Sequence, residues 1–133
     1  MKFPFHYTLK VRSYDLDSFG HLNNAVYLNY LEEARCDYME QRGLVFTDFH
    51  KWKAYAFVVS AEIRYKSPAQ YGDMLDIHGG FAEMKRTTFS LVYEIYNKTT
   101  SRLCAKAQMS FAFVNESGKL IPIPKEFREN MMP

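Results

Sequence analysis

Cysteine is nearly missing from this chain: Cys36 and Cys104 are the whole supply among 133 residues. They fall on different predicted elements and need not meet. Both read as reduced core residues, which suits a cytoplasmic protein. Long hydrophobic runs are also missing. Nothing approaches the about 18 consecutive apolar residues of a membrane span. The opening M-K-F-P-F-H-Y has no apolar signal-peptide region and reads as the lead-in to a strand. Charge of one sign is not in excess either. Seventeen basic and fifteen acidic residues leave +2, evenly scattered, which removes the electrostatic case for nucleic acid. No G-x-x-x-x-G-K or G-x-G-x-x-G loop occurs, so those nucleotide cofactors are not expected. A serine hydrolase would need a G-x-S-x-G elbow, and there is none. Repeats and low-complexity segments are absent too. What remains is the material of one domain, residues 1–133, with 47% apolar and 17% aromatic residues.

The most informative stretch runs from Tyr14 to Gly43. Its first half is a polar turn holding Asp15, Asp17, Gly20, His21, Asn23 and Asn24. Its second half has Tyr27, Tyr30, Leu31, Ala34 and Tyr38 at helical spacing. Asn23 or Asn24 suits the N-cap and Gly43 the C-terminal stop, giving a helix of about 28 Å. A carboxylate loop thus feeds a helix N-terminus, where free N–H groups and the positive dipole end favour negative charge.

Strands surround this helix. Tyr7, Leu9 and Val11 alternate with polar neighbours before the loop. After it come Leu44–Ala54, read as a mixed connector, and then four long strands. These carry Phe57–Tyr65, Leu75–Phe81 (with a bulge or bend expected at Gly79-Gly80), Phe89–Ile95 and Leu103–Phe113. Lys85-Arg86-Thr87 reads as a hairpin, and Pro122 and Pro124 end the sheet region. One helix over an antiparallel sheet is an α+β fold. Val58, Val92, Tyr96, Ala112 and Val114 fall on the side the helix leaves uncovered, so a homo-oligomer is expected to bury some of them.

The segment D-L-D-S-F-G-H-L-N-N-A-V-Y resembles the D-x-D-x-x-G turn of hotdog-fold thioesterases of the 4-hydroxybenzoyl-CoA thioesterase type. Its D-L-D-x-x-x-H-x-N-N spacing is similar to plant acyl-ACP thioesterases, another hotdog branch. The strand–helix–four-strand order extends the resemblance over nearly the whole chain. It implies a hotdog fold, a curved sheet wrapped around one central helix. It implies hydrolysis of a thioester of coenzyme A or acyl carrier protein, with Asp17 as general base or nucleophile and Gly20 in the turn behind it. The carbonyl would be polarised by an N–H of the helix's first turn, at Asn24 or a neighbour. His21 matches a histidine of the plant enzymes, whereas Phe19 stands where they carry a functional Asn; Asp17 is then the main catalyst. Lys85, Arg86 and Thr87 resemble the family hairpin that approaches the carrier arm. Arg64 and Lys66 are secondary cations for its phosphates. The family's sites usually lie between two subunits, so a homodimer or homotetramer is implied.

Each residue has a plainer role against which this is weighed. Asp17 suits a turn, His21 a helix entry, Asn23 and Asn24 caps, and Asp15 bonding of backbone N–H groups in the turn. The Tyr27/Tyr30/Tyr38 stripe suits the core, although Tyr27 is early enough to touch an acyl group. Asp15, Asp17 and His21 fit no specific metal pattern, so no metal is expected. Two rival functions stand beside hydrolysis: a non-catalytic acyl-CoA-binding module and a hotdog hydratase.

Overall fold

Alternating apolar positions along five segments build one antiparallel sheet. The computed structural model describes residues 3–131, so the first two positions of the M-K-F-P lead-in lie outside the described residues. The strands are β1 (Phe5–Lys10), β2 (Tyr55–Tyr65), β3 (Met74–Met84), β4 (Thr88–Asn97) and β5 (Arg102–Val114). Their order across the sheet is β1-β3-β4-β5-β2, with every neighbouring pair antiparallel. Short turns permit this, because antiparallel neighbours need no crossover.

The long helix α1 (Val26–Gln41) buries Tyr27, Tyr30, Leu31, Ala34 and Tyr38, as the spacing predicts, and Met39 besides. Those side chains share one core with Leu75, Ile77, Leu91, Tyr93, Ile95 and Phe113. An α+β layout with one principal helix on the sheet is therefore correct. Among the described residues, no helix is long and apolar enough to cross a membrane.

Two helices were not expected. The Leu44–Ala54 connector contains α2 (Phe46–Trp52). Its start is closed reciprocally: the Val45 N–H donates to Asp48 Oδ2 at 2.8 Å and the Asp48 N–H to the Val45 carbonyl at 2.9 Å. Seven residues give only two turns, too few for periodicity to stand out from a loop. Beyond Pro124, α3 (Lys125–Met131) buries Phe127 and Met131. Pro124 opens this helix rather than merely ending the sheet, since a helix start needs no N–H from proline.

The expected bulge at Gly79-Gly80 lies elsewhere: register slips between Phe81 and Glu83, while Gly79 stays paired with Phe5. Gly79 serves close approach instead. A Cβ there would overlap the Phe5 ring, which is packed against Tyr38 at 4.8 Å and Tyr93 at 5.8 Å between ring centroids. With the ring held on two sides, overpacking should be expensive. Gly79→Ala is expected to lower stability by about 1–3 kcal/mol, measured as a shift in the urea midpoint; an unchanged midpoint would show that the ring moves freely.

The edge strand β2 departs from the pattern most. Phe57 and Val59 are 64% and 63% exposed, and Val58 and Tyr65 are exposed as well. Its sequence alternates with period 2, but its burial does not: register slips between Val58 and Ser60, which turns Val58 to the α1 side instead of the uncovered side expected, and only β5 flanks the strand. Such an apolar edge is a template for pairing with another strand.

Candidate active site

The loop before α1 is a small hairpin with Asp17 at its neck. The Asp17 N–H donates to the His21 carbonyl at 2.8 Å and the Gly20 N–H to the Asp17 carbonyl at 3.0 Å. Gly20 has φ +78, a left-handed conformation that costs glycine little. The Asp17 side chain completes the turn: Oδ1 accepts the N–H of Phe19 at 2.9 Å and of His21 at 3.1 Å. Both bonds fall on the same oxygen. Oδ2 has no protein hydrogen-bond partner among the described residues. The hairpin is docked by Leu22, whose N–H donates to the Ala69 carbonyl at 2.7 Å.

Asp15 has a different function from its neighbour. It is buried, and its Oδ2 accepts the Tyr30 hydroxyl at 2.5 Å. Its carboxylate therefore bonds a phenol, not the backbone N–H groups expected from the sequence; the loop amide of Asn23 goes to its carbonyl, at 2.9 Å. This tie fixes the loop to the helix. Burial first, and then the carboxylate partner, push the Tyr30 phenol up to about 12. Burial likewise pushes Tyr93 to about 12, against the lowering pull of Arg35. In the unfolded chain both phenols ionise near 10. Their contribution to stability is thus complete below pH 10 and lost as pH climbs towards 12. Alkaline unfolding followed by circular dichroism should show stability falling through that window, with a shallower slope in Tyr30→Phe.

The helix entry also differs in detail. Neither asparagine is the N-cap by backbone geometry: Ala25 holds that position and is already helical at φ −69, ψ −29. Asn23 acts one step earlier. Its Oδ1 accepts the Ala25 N–H at 3.0 Å and its carbonyl accepts the Val26 N–H at 3.0 Å. Because a trans peptide sets N–H and C=O in opposite directions, the Asn24 N–H points away from the helix. That amide makes no hydrogen bond among the described residues. The Asn24 carbonyl is held by the Tyr65 hydroxyl at 3.0 Å, and the Tyr65 ring meets Tyr27 edge-on at 5.2 Å between centroids.

These pieces face one open cleft of about 260 Å³, whose walls include Asp17, His21, Asn24, Tyr27, Tyr65 and Lys66. Tyr27 is buried, which keeps its phenol neutral well above the ordinary range. Asp17, His21, Asn24, Tyr27 and Lys66, five of the residues singled out from sequence, are thus brought together, and Gly20 shapes the turn beside them. The other four are elsewhere. Arg64 pairs with Glu62 at 3.0 Å and lies in a separate depression with Glu94 and Lys106. Strand alternation sends it there, whereas Lys66, just past the end of β2, turns into the cleft. Lys85, Arg86 and Thr87 form the β3–β4 hairpin at the opposite end of the sheet, an eleven-residue strand away, on the order of 35 Å. Tyr65 was missed as a site residue. Its terminal position on an apolar edge strand was the available signal, but alternation alone reads it as core.

A second cavity lies between α1 and the sheet. It is largely apolar, about 140 Å³, lined among others by Cys36, Val58, Phe81, Phe89 and Phe111, with the charged side chains Glu32 and Arg35 also in its wall.

The profile of the thioesterase-like superfamily matches residues 11–131. The chain belongs to that superfamily. It is 33% identical over 128 residues to the long-chain acyl-CoA thioesterase FadM of Escherichia coli, covering 92% of this chain and 93% of FadM. The crystal structure of a hypothetical protein from Aquifex aeolicus superposes with a TM-score of 0.89 at 29% identity, covering 96% of this chain and 99% of the other. A 1,4-dihydroxy-2-naphthoyl-CoA thioesterase from Synechocystis gives the same TM-score, 0.89, at 22% identity, with 96% and 94% covered; that likeness concerns the fold. This thioesterase therefore has the hotdog fold, and its activity is thioester hydrolysis.

Proposed function

We propose that the chain is an acyl-CoA thioesterase in which Asp17 is the catalytic carboxylate and the Asn24 N–H receives the oxyanion. One observation carries the reading. Among the described residues, Asp17 has one oxygen pinned by two amides and the other without a partner, in the same cleft as the residue that carries an unengaged amide at a helix start. Water, activated by proton transfer to Asp17, adds to the thioester carbon; the tetrahedral intermediate collapses, and the thiolate leaves and takes up the proton. In the alternative route Asp17 adds to the thioester carbon, the C–S bond breaks and the thiolate leaves with a proton from solvent, and water then cleaves the mixed anhydride to free Asp17 and the acid. In either route charge builds on the former carbonyl oxygen. A fixed amide and the α1 dipole stabilise it at no cost of reorganisation. His21 and Tyr27 line the cleft and position the thioester. Lys66 supplies a cation for carrier phosphates.

The likeness to FadM, a long-chain acyl-CoA thioesterase, supports coenzyme A as the carrier and a long aliphatic acyl group. The apolar cavity under α1 suits such a chain. It includes Val58 of the exposed edge, so it opens where a second subunit would sit. A two-fold copy paired antiparallel along β2 sets its far end against the Tyr65 end of the first. Its Lys85–Thr87 hairpin then approaches the Asp17 cleft, which gives those three residues a carrier-binding role that one protomer denies them. The active unit is accordingly a homodimer or a higher assembly built from it.

A thiol-release screen over acyl-CoAs of graded chain length tests this. Turnover of long aliphatic substrates is expected. Saturable binding without release would leave a binding module, and hydration of enoyl-CoA without release a hydratase; either result would overturn the proposal.

A further inference from the structure

The outer face of β1 and β3, turned away from α1, carries a cluster that thioester chemistry does not use. Phe5 and Leu9 of β1 point into the core, so His6 and Thr8 between them point outward. Register sets His6 opposite His78 and Thr8 opposite Asp76. His6 Nε2 lies 3.1 Å from Asp76 Oδ1, and one ligand atom from each of His6, Asp76 and His78 lies within 4.8 Å of the others. We propose that His6, Asp76 and His78 form a surface site for a borderline divalent transition-metal ion, Zn²⁺ or Ni²⁺, with water completing the coordination.

The geometry is close to what such an ion requires. Two ligands at metal–nitrogen distances of about 2.0–2.1 Å in a tetrahedron sit about 3.3 Å apart, which the His6–Asp76 separation of 3.1 Å nearly meets. The imidazoles are stacked, 4.6 Å between centroids and 13° between planes. To converge on one ion, the His78 ring must turn about its terminal torsion, a broad and soft coordinate. Asp76 is already oriented by the Thr8 hydroxyl at 2.6 Å, the kind of outer hydrogen bond that fixes a ligating carboxylate. Burial works against ionisation of Asp76, but the bonds from Thr8 and His6 and the charge of Lys98 outweigh it and hold the carboxyl below its ordinary value. The ligand is thus anionic at neutral pH. Lys98 also repels an incoming cation, which sets the affinity below that of a buried structural site. Phe3 and Tyr96 meet His78 edge-on and shield one side. Two imidazoles and one carboxylate select transition metals over Mg²⁺ and Ca²⁺, which prefer oxygen. Because the site joins the edge strand β1 to β3, occupancy stabilises the folded sheet.

Isothermal titration of the full chain with ZnCl₂ and NiCl₂ near neutral pH tests the assignment. One saturable ion is expected at this face. His6→Gln, at an exposed position, and His78→Gln, at a half-buried one, keep side-chain volume and should each weaken it at least about ten-fold. ZnCl₂ should raise the thermal midpoint of the wild type and leave that of the double variant unmoved, while MgCl₂ moves neither. Circular dichroism establishes that the variants are folded. Wild type without a saturable site would overturn the proposal, and so would a double variant that retains every site at unchanged affinity.

Discussion

Asp17→Asn is expected to lower kcat by about 10³-fold, within the 10²–10⁴ typical of a lost general base, and to leave the fold intact. The amide oxygen of Asn can still accept the Phe19 and His21 N–H groups that now meet Asp17 Oδ1. The turn should therefore survive, with stability changed by no more than about 0.5 kcal/mol. What disappears is the basic or nucleophilic oxygen. Because that group acts on the transition state, kcat and kcat/KM should fall together and KM should hardly move. Asn24→Ala is the informative companion. The proposed oxyanion donor is the backbone N–H, which alanine keeps, so its rate should remain within a few-fold of wild type. A full rate in Asp17→Asn would end the assignment of this carboxylate. A large loss in Asn24→Ala would transfer the chemistry from the backbone to the side chain.

The turn around Asp17 was legible in sequence, while the contact of Tyr65 with Asn24 was not, and the reason is one of range. The D-L-D-S-F-G-H turn is local: its hydrogen bonds run between residues two to four apart, and residue types that make such turns announce themselves by spacing. The buried stripe of α1 is equally local, set by its 3.6-residue period. Tyr65 reaches Asn24 across 41 positions, and no periodicity encodes that meeting. The same holds for Gly79. Its use depends on Phe5 arriving from another strand, so the sequence suggested a bulge where the structure has close packing. Asp15 shows a subtler limit. Its structural role was legible, but its partner Tyr30 looked like a plain core residue because an apolar ring and a hydroxyl share one position on the helix. The short helices α2 and α3 fell below the length at which a period can be distinguished from a loop.

Charging the β2 edge should convert the enzyme into an inactive but folded monomer. Phe57→Lys with Val59→Lys replaces two side chains that are 64% and 63% exposed, so neither change removes core packing within a protomer. In a two-fold edge-to-edge pair each substitution appears twice, so four like charges share one seam, and their desolvation and mutual repulsion oppose association. Light scattering should report the mass of a single chain, with the circular dichroism spectrum kept. The loss of activity should approach that of Asp17→Asn, for a geometric reason. Within one protomer the Asp17 cleft is open, and the Lys85–Thr87 hairpin is at the other end of the sheet. In the proposed dimer the neighbouring copy closes that cleft and excludes water from the thioester, and preorganised amides act far more strongly in a water-poor site. A charged variant that is monomeric yet fully active would separate catalysis from assembly and leave the hairpin without a part in it. A variant that stays dimeric would move the interface to another face, with Tyr96 on the outer sheet surface the next exposed apolar side chain to test.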